Sequence, residues 1–465
     1  MRPSGLAIRL IPLRRWFFDI KQKYVRIIIG LFLLIAANLL KPIGKKTSAL
    51  RCALAAHRLL YSAAAFRAVL RNLSALKDAG DALVSSGVTR NEAVIRTIVT
   101  QWPALQDRQI VEKGILIITF TKVCSYYYRN INIESLAKYF HIVLEPSWSG
   151  YMDADILFWT TKTEQPIFVQ SSEIRDRVAL ECLCSNLVPI SIGASDWVDH
   201  GRFTPNADSK IYDSVYVANT SPVKRIHIYL KAIKKIIEAY DRNYKAVLVC
   251  AAWGGKAAEI QALINYYGIA EHCRLELSLS QEQLSQLLNT CKVNVLMSLK
   301  EGSNRSLFES MFCNLPVIAL ADNIGVNKAY INEYTGALIY EDQLSEVLVQ
   351  MAKTWGNYQP RQWALKNISP EATTKKLAAI IKARVPGGPA ESSSPMLIKT
   401  NNPEVSYLEY PTIERADIME RLLNAFSLGS LCDISHELAQ CQNDFMRRIT
   451  TAGMTNSKAD NSLYP

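Results

Sequence analysis

Two carboxylates, Glu301 and Glu309, stand eight residues apart in the run Leu299-Lys300-Glu301-Gly302-Ser303-Asn304-Arg305-Ser306-Leu307-Phe308-Glu309. An apolar run, Val293-Asn294-Val295-Leu296-Met297-Ser298, precedes them, and Leu307, Phe308, Met311 and Phe312 follow at helical spacing. The pattern reads as strand, loop, helix. The amides of Asn304 to Leu307 then belong to a first helical turn, whose unpaired donors and partial positive charge make a natural seat for a diphosphate. Arg305 sets a fixed cation beside that seat. Glu309, one turn further in, can accept hydrogen bonds from two adjacent ribose hydroxyls, and Glu301 on the loop can hold sugar hydroxyls beyond the phosphates. Such a geometry suits a sugar nucleotide. Taken alone, the pair also reads as two solvated glutamates flanking an ordinary strand-to-helix turn.

Other segments narrow the choice. Glu301 to Glu309, followed by Cys313-Asn314-Leu315-Pro316-Val317-Ile318, resembles the E-x7-E segment of retaining glycosyltransferase family 4. Gly193-Ala194-Ser195-Asp196-Trp197-Val198-Asp199, then Arg202-Phe203-Thr204-Pro205, is similar to that family's crossing between two domains. Val215-Tyr216-Val217-Ala218-Asn219 leads through Thr220-Ser221-Pro222 to Lys224 and Arg225, where the family carries a diphosphate-binding basic residue. The resemblance covers about residues 186–384 well and 114–185 poorly.

It implies an α/β chain of GT-B type, with two facing doubly wound (Rossmann-like) domains. It implies transfer of a hexose-type sugar from a nucleotide-sugar donor to a hydroxyl acceptor with retention, through an oxocarbenium-like transition state, with no metal and no other cofactor. Catalytic roles then fall to Glu301 and Lys224, and donor binding to Arg225, Ser303, Asn304, Arg305, Ser306 and Glu309. The chain departs from the family pattern in three places. Asn219 stands where the family often has Arg, Thr121-Lys122-Val123-Cys124 replaces a Gly-Gly loop, and the family's first-domain His has no clear counterpart in His141 or His200. Two further classes stay open: a membrane-docked relative that binds nucleotide sugar without turnover, and a sugar-nucleotide epimerase of the same architecture.

The chain has 465 residues, 49% of them hydrophobic, enough for two or three domains with large cores. Its net charge is +11, but residues 1–50 hold ten Lys or Arg and one acid, Asp19, so this stretch alone supplies +9. Nucleic-acid readers spread basic residues over a folded face, whereas here the charge flanks an uncharged apolar run, residues 27–40. An anionic membrane is the expected partner, and nucleic acid is not. The run counts 14 residues, or 17 from Tyr24, against about 20 for a spanning helix. Both flanks are basic, and the positive-inside bias keeps both on the cytoplasmic side. An interfacial or re-entrant anchor on the cytoplasmic face satisfies both constraints, with Trp16, Phe17, Phe18 and Tyr24 at headgroup level. A true span and a buried core helix are the remaining readings.

Ten cysteines show no disulfide framework, and the six histidines offer no metal-ligand spacing. Alternation of strand and helix predicts parallel sheets. The first has strands near 115–120, 141–144, 155–159, 166–169 and 188–192, with a helix over 90–102 before it. The second has strands near 213–218, 246–251, 273–277, 293–298, 316–321 and 335–340. The expected organisation is a membrane-associating segment (1–48), a helical extension packing on the sheet domain (49–112), an acceptor-side domain (113–205), a donor domain (206–384), a linker (385–411) and a helical tail (412–465). The polar-aromatic loop at 145–151, with Trp148 and Tyr151, is a candidate acceptor surface. The acceptor expected from the anchor is a glycan or lipid-linked molecule.

Overall fold

The computed structural model describes residues 5–79, 82–147, 152–183, 185–251, 255–385, 396–401 and 404–460, the side chains of 5–9 and 453–460 excepted. Trp148, Tyr151 and residues 386–395 and 402–403 of the expected linker lie outside the described residues. The chain forms two compact units, Met1–Ile28 with Val198–Ser369, and Ile29–Trp197 with Pro370–Pro465.

The unit containing residues 198–369 is built on a six-stranded parallel sheet. Its strands run in the order Cys273–Leu277, Ala246–Ala251, Tyr212–Asn219, Cys291–Leu296, Val317–Leu320 and Gly336–Ile339. Parallel strands covered on both faces read as unbroken apolar runs, and Ala246-Val247-Leu248-Val249-Cys250 is such a run, buried throughout. The helices Ile226–Ala239, Ala257–Tyr267, Gln281–Asn289, Arg305–Phe312 and Leu344–Thr354 alternate with the strands. Ser280 and Gln283 close the capping box that their spacing predicts. The first strand in the chain, Tyr212–Asn219, lies beside the fourth, Cys291–Leu296. That is the switch point of a doubly wound sheet, where the crevice beyond the carboxyl ends receives ligands.

The other unit holds a five-stranded sheet in the order Thr97–Gln101, Gly114–Thr119, Phe140–Glu145, Ile167–Gln170 and Leu187–Ile190, its first strand antiparallel to the second. Two expectations fail here. The helix over 90–102 ends at Ile95, because Thr97-Ile98-Val99-Thr100 is β-branched throughout and pairs with the Gly114–Thr119 strand instead. The strand near 155–159 is helical, Ala154–Leu157 running into the 3-10 turn Phe158–Thr161, with the Asp153 carboxylate capping the Asp155 amide. A short apolar run without alternation does not distinguish the two.

Residues 49–76 pack into the core of this sheet, Leu50, Leu54 and Val69 sharing it with Ile98 and Leu116. The C-terminal residues, read as a docked tail, complete the same unit. Leu397 N donates to the Thr100 carbonyl at 2.7 Å, Tyr407 to Val99, and Arg415 to Ile95, Thr97 and Val405, so the sheet edge at Thr97–Gln101 is covered. Helix Pro370–Arg384, expected to close the donor domain, also groups with this unit, Thr373 donating to the Asp196 carbonyl. Between the two sheets the units divide at 197/198, where 205/206 was expected.

The N-terminus forms the helix Gly5–Ile20, a π-helical turn Lys21–Val25 and the helix Arg26–Leu40. Counted this way the apolar helix is longer than the sequence run, and Leu10–Leu40 has the length and composition to cross a membrane. Gly30 and Ala37 are its buried positions after Arg26, and a Cβ on Gly30 would lie 2.6 Å from Leu60 Cγ.

Candidate functional site

The carboxyl ends of the strands Tyr212–Asn219 and Cys291–Leu296 carry the residues that the sequence singles out. After the first strand, the Asn219 side chain accepts from the Ser221 amide at 3.0 Å, and Pro222 opens the 3-10 turn Pro222–Lys224. The Tyr216 hydroxyl, fully buried in the strand, donates to the Lys224 carbonyl. These contacts aim the Lys224 side chain across the switch point. Its ammonium lies 2.6 and 2.8 Å from the two carboxylate oxygens of Glu301.

Glu301 is held from its own side as well. Ser298 Oγ donates to Oε1 at 2.5 Å, and the Glu301 amide donates to the Ile324 carbonyl at 2.8 Å. Asn323 ties the next loop to this one, its side-chain amide donating to the Ser298 carbonyl at 2.7 Å. The Glu301 side chain is 9% exposed, so it is oriented and nearly buried. An ammonium has three donors, two of which go to Glu301, leaving a third for an incoming anion.

Asn304 caps the helix Arg305–Phe312, its side-chain oxygen accepting from the Leu307 amide at 3.2 Å and from Ser306 Oγ at 2.7 Å. The expected row of open amides is therefore one shorter, Leu307 N being taken. Asn294, inside the strand, donates to the Ser306 carbonyl and to Ser310 Oγ, which clamps this helix onto the sheet. Glu309 lies on it beside Arg305, 3.4 Å away at one turn's spacing, and is almost wholly buried. Burial pushes its carboxyl above the usual range, with Arg305 opposing. Ser303 is half-buried on the loop between.

Arg225 departs from expectation. Its side chain is fully buried, with Nε and Nη2 donating to Asp19 at 3.0 and 3.2 Å, Nη2 also to Glu341 at 2.5 Å, and Nη1 to the Met297 carbonyl. In this arrangement it presents no donor to a diphosphate. Its backbone is left-handed, with φ +51°, and its guanidinium is taken up by Asp19, Glu341 and the Met297 carbonyl.

Gly255 approaches the same place, since a Cβ on it would meet the Thr220 carbonyl at 2.7 Å. His141, left out of the site, packs against Phe168, and burial lowers its imidazole to about 4. His200 packs against Phe312. Cys250, Cys273, Cys291 and Cys313 are buried, which raises each thiol to about 12 and leaves it inert. No group of three or more His, Cys, Asp or Glu able to hold a metal occurs among the described residues. Sequence reasoning missed Tyr216, Ser298 and Asn323, which touch the site only through backbone or carboxylate contacts that no spacing rule announces.

Residues 199–362 match the family model of glycosyl transferases group 1. No curated protein matches the chain by sequence. Among solved structures it is similar to a sucrose-phosphate synthase from Thermosynechococcus elongatus (16% identity, TM-score 0.45, covering 58% of this chain and 74% of that one). It is also similar to Anabaena HepE in complex with UDP and glucose (14%, TM-score 0.44, 57% and 77%). A third is the pneumococcal O-GlcNAc transferase GtfA with UDP and GlcNAc (17%, TM-score 0.42), of which the chain spans 56% of the length against 57% of its own.

Proposed function

We propose that this chain is a retaining glycosyltransferase that moves a sugar from a nucleotide-sugar donor to a hydroxyl of a glycan or lipid-linked acceptor. The observation that carries the reading is the Lys224–Glu301 pair, poised at the switch point of a doubly wound sheet beside a capped helix N-terminus. The match of residues 199–362 to the group 1 glycosyl transferases supports it.

In this reading the donor diphosphate sits at the start of the helix Arg305–Phe312, and the third N–H of Lys224 and the Arg305 guanidinium face its growing negative charge. Each preorganised donor of this kind contributes on the order of 3 kcal/mol to the transition state. Two such cations and a helix dipole supply the charge that a metal supplies elsewhere, so the mechanism is read as metal-independent. Glu301, fixed by Lys224 and Ser298, keeps free lone pairs for hydroxyls of the transferred sugar. Glu309 receives the ribose hydroxyls, and Ser303, Asn304 and Ser306 line the phosphate seat.

We place the enzyme on the cytoplasmic face of a membrane, docked through its N-terminus. Ile27, Ile28, Leu31, Phe32, Ile35 and Leu39 share one face of the helix Arg26–Leu40 and are exposed, Phe32 to 69%. An exposed apolar stripe flanked by lysine and arginine fits an anionic bilayer surface.

The test is a thermal-shift screen of UDP-, GDP- and ADP-sugars on the full chain beside Lys224→Ala and Glu309→Ala, since a bound ligand raises stability by RT ln(1 + [L]/Kd). One donor class should shift the wild type and neither variant. A flat response to all three overturns the donor site. A shift without transfer or hydrolysis in product analysis points to a binding protein, and an altered donor sugar without acceptor points to an epimerase.

A further inference from the structure

The N-terminal helix carries a polar stripe on the side opposite its exposed aromatic residues. Trp16 and Phe17 are 54% and 56% exposed, whereas Arg15 and Asp19, one turn apart, are buried against the donor unit. Arg15 Nη2 donates to the Thr220 carbonyl at 3.3 Å and lies 3.5 Å from Glu259. Asp19 binds Arg225 through both oxygens and also receives His227 Nε2 at 2.8 Å. The π-helical turn then brings Lys23 to Glu341 at 2.8 Å, and Glu341 in turn holds Arg225.

The contacts to Thr220, Arg225 and His227 converge on the segment after the Tyr212–Asn219 strand. Arg225 is a non-glycine residue in the left-handed region, a strained conformation that persists only where its surroundings over-determine it. Asp19, the sole acid in the first 50 residues, takes two of the bonds that hold the Arg225 side chain. We infer that Asp19 is a positioning residue of the donor site: by holding Arg225 it fixes the Pro222–Lys224 turn and aims the Lys224 ammonium at the switch point. This rests on the donor-site reading above. The helix Gly5–Ile20 thus braces the loop that meets the nucleotide.

The experiment uses the full chain in lipid nanodiscs, comparing wild type with Asp19→Asn, which keeps the shape and removes the charge. Backbone hydrogen exchange is followed at residues 224–228, and affinity for UDP, GDP and ADP by calorimetry. Asp19→Asn is expected to raise exchange in that turn about tenfold, to weaken binding of whichever nucleotide the wild type takes by about tenfold, and to leave exchange in the Val317–Leu320 strand unchanged. Arg225→Lys, which keeps the buried charge but loses the planar fork, gives the same two shifts and decides the question if Asp19→Asn does not fold. A looser turn with unchanged affinity, or an unchanged turn, overturns the inference while leaving the donor site standing. A wild type that binds none of the three nucleotides removes the donor site and the inference with it.

Discussion

Lys224 and Glu301, 77 residues apart in the chain, meet with both carboxylate oxygens within 2.8 Å of one ammonium. The pair joins the ends of two neighbouring strands, and it is largely withdrawn from water, with 15% and 9% of the two side chains exposed. Breaking such a pair from one side leaves a partly desolvated charge, whereas removing both charges together does not.

Lys224→Met is therefore expected to lower stability by roughly 3 kcal/mol and turnover by a factor on the order of 10² to 10³. Lys224→Met combined with Glu301→Gln should recover most of the stability and none of the turnover. Denaturant melts and transfer assays on the three proteins check this. Equal stability of single and double variants would show that the pair is not coupled.

Glu309 makes a pH prediction. Burial raises its carboxyl above the ordinary 4.5, with Arg305 opposing. A group raised in the folded state stabilises below its unfolded pKa, and that contribution is lost as pH rises through the folded value. Glu309→Gln should thus be at least as stable as wild type at pH 7, with the difference vanishing below about pH 4.5. The same change should weaken nucleotide binding about tenfold, since a carboxylate is the stronger acceptor for ribose hydroxyls. Melting curves from pH 4 to 8 and calorimetry test both signs, and a Glu309→Gln protein less stable than wild type at pH 7 contradicts the burial argument.

Asn304→Ala removes the cap of the helix Arg305–Phe312 and is expected to cost about 1 kcal/mol, with Asn304→Gly costing only a few tenths. Both should lower affinity for a nucleoside diphosphate, because a frayed first turn no longer presents ordered amides. Affinity equal to wild type in both variants would place the phosphates elsewhere.

Phe32→Asp and Leu39→Asp set charges on the exposed face of the helix Arg26–Leu40, where neither side chain is packed. Melting of the chain in detergent should change little, while co-sedimentation with vesicles containing phosphatidylglycerol should fall several-fold. Wild-type binding should weaken as salt rises, through screening of the flanking lysines and arginines. Undiminished sedimentation of both variants would reject the lipid-facing assignment.

The six-stranded sheet was legible in the sequence because each of its central strands is an apolar run bounded by a helix of clear period. The Glu301–Glu309 segment was legible for the same reason, its strand, loop and helix being contiguous. The 97–101 strand was not, since its pairing partner, Gly114–Thr119, lies further along the chain and the local pattern read as helix. The place of residues 396–449 was equally hidden, because covering a sheet edge some 300 residues upstream leaves no mark on local pattern.

The types and spacing of Glu301, Asn304, Arg305 and Glu309 are local facts, and sequence alone assigns them to one loop and one helix turn. Which cation faces Glu301 is not a local fact. Lys224 and Arg225 are adjacent and chemically alike on paper, and both were expected at the diphosphate. The left-handed backbone at Arg225 and the distant carboxylates of Asp19 and Glu341 turn one inward and leave the other at the crevice. Backbone handedness and long-range charge pairing are properties of the folded chain, so only the tertiary structure decided between the two.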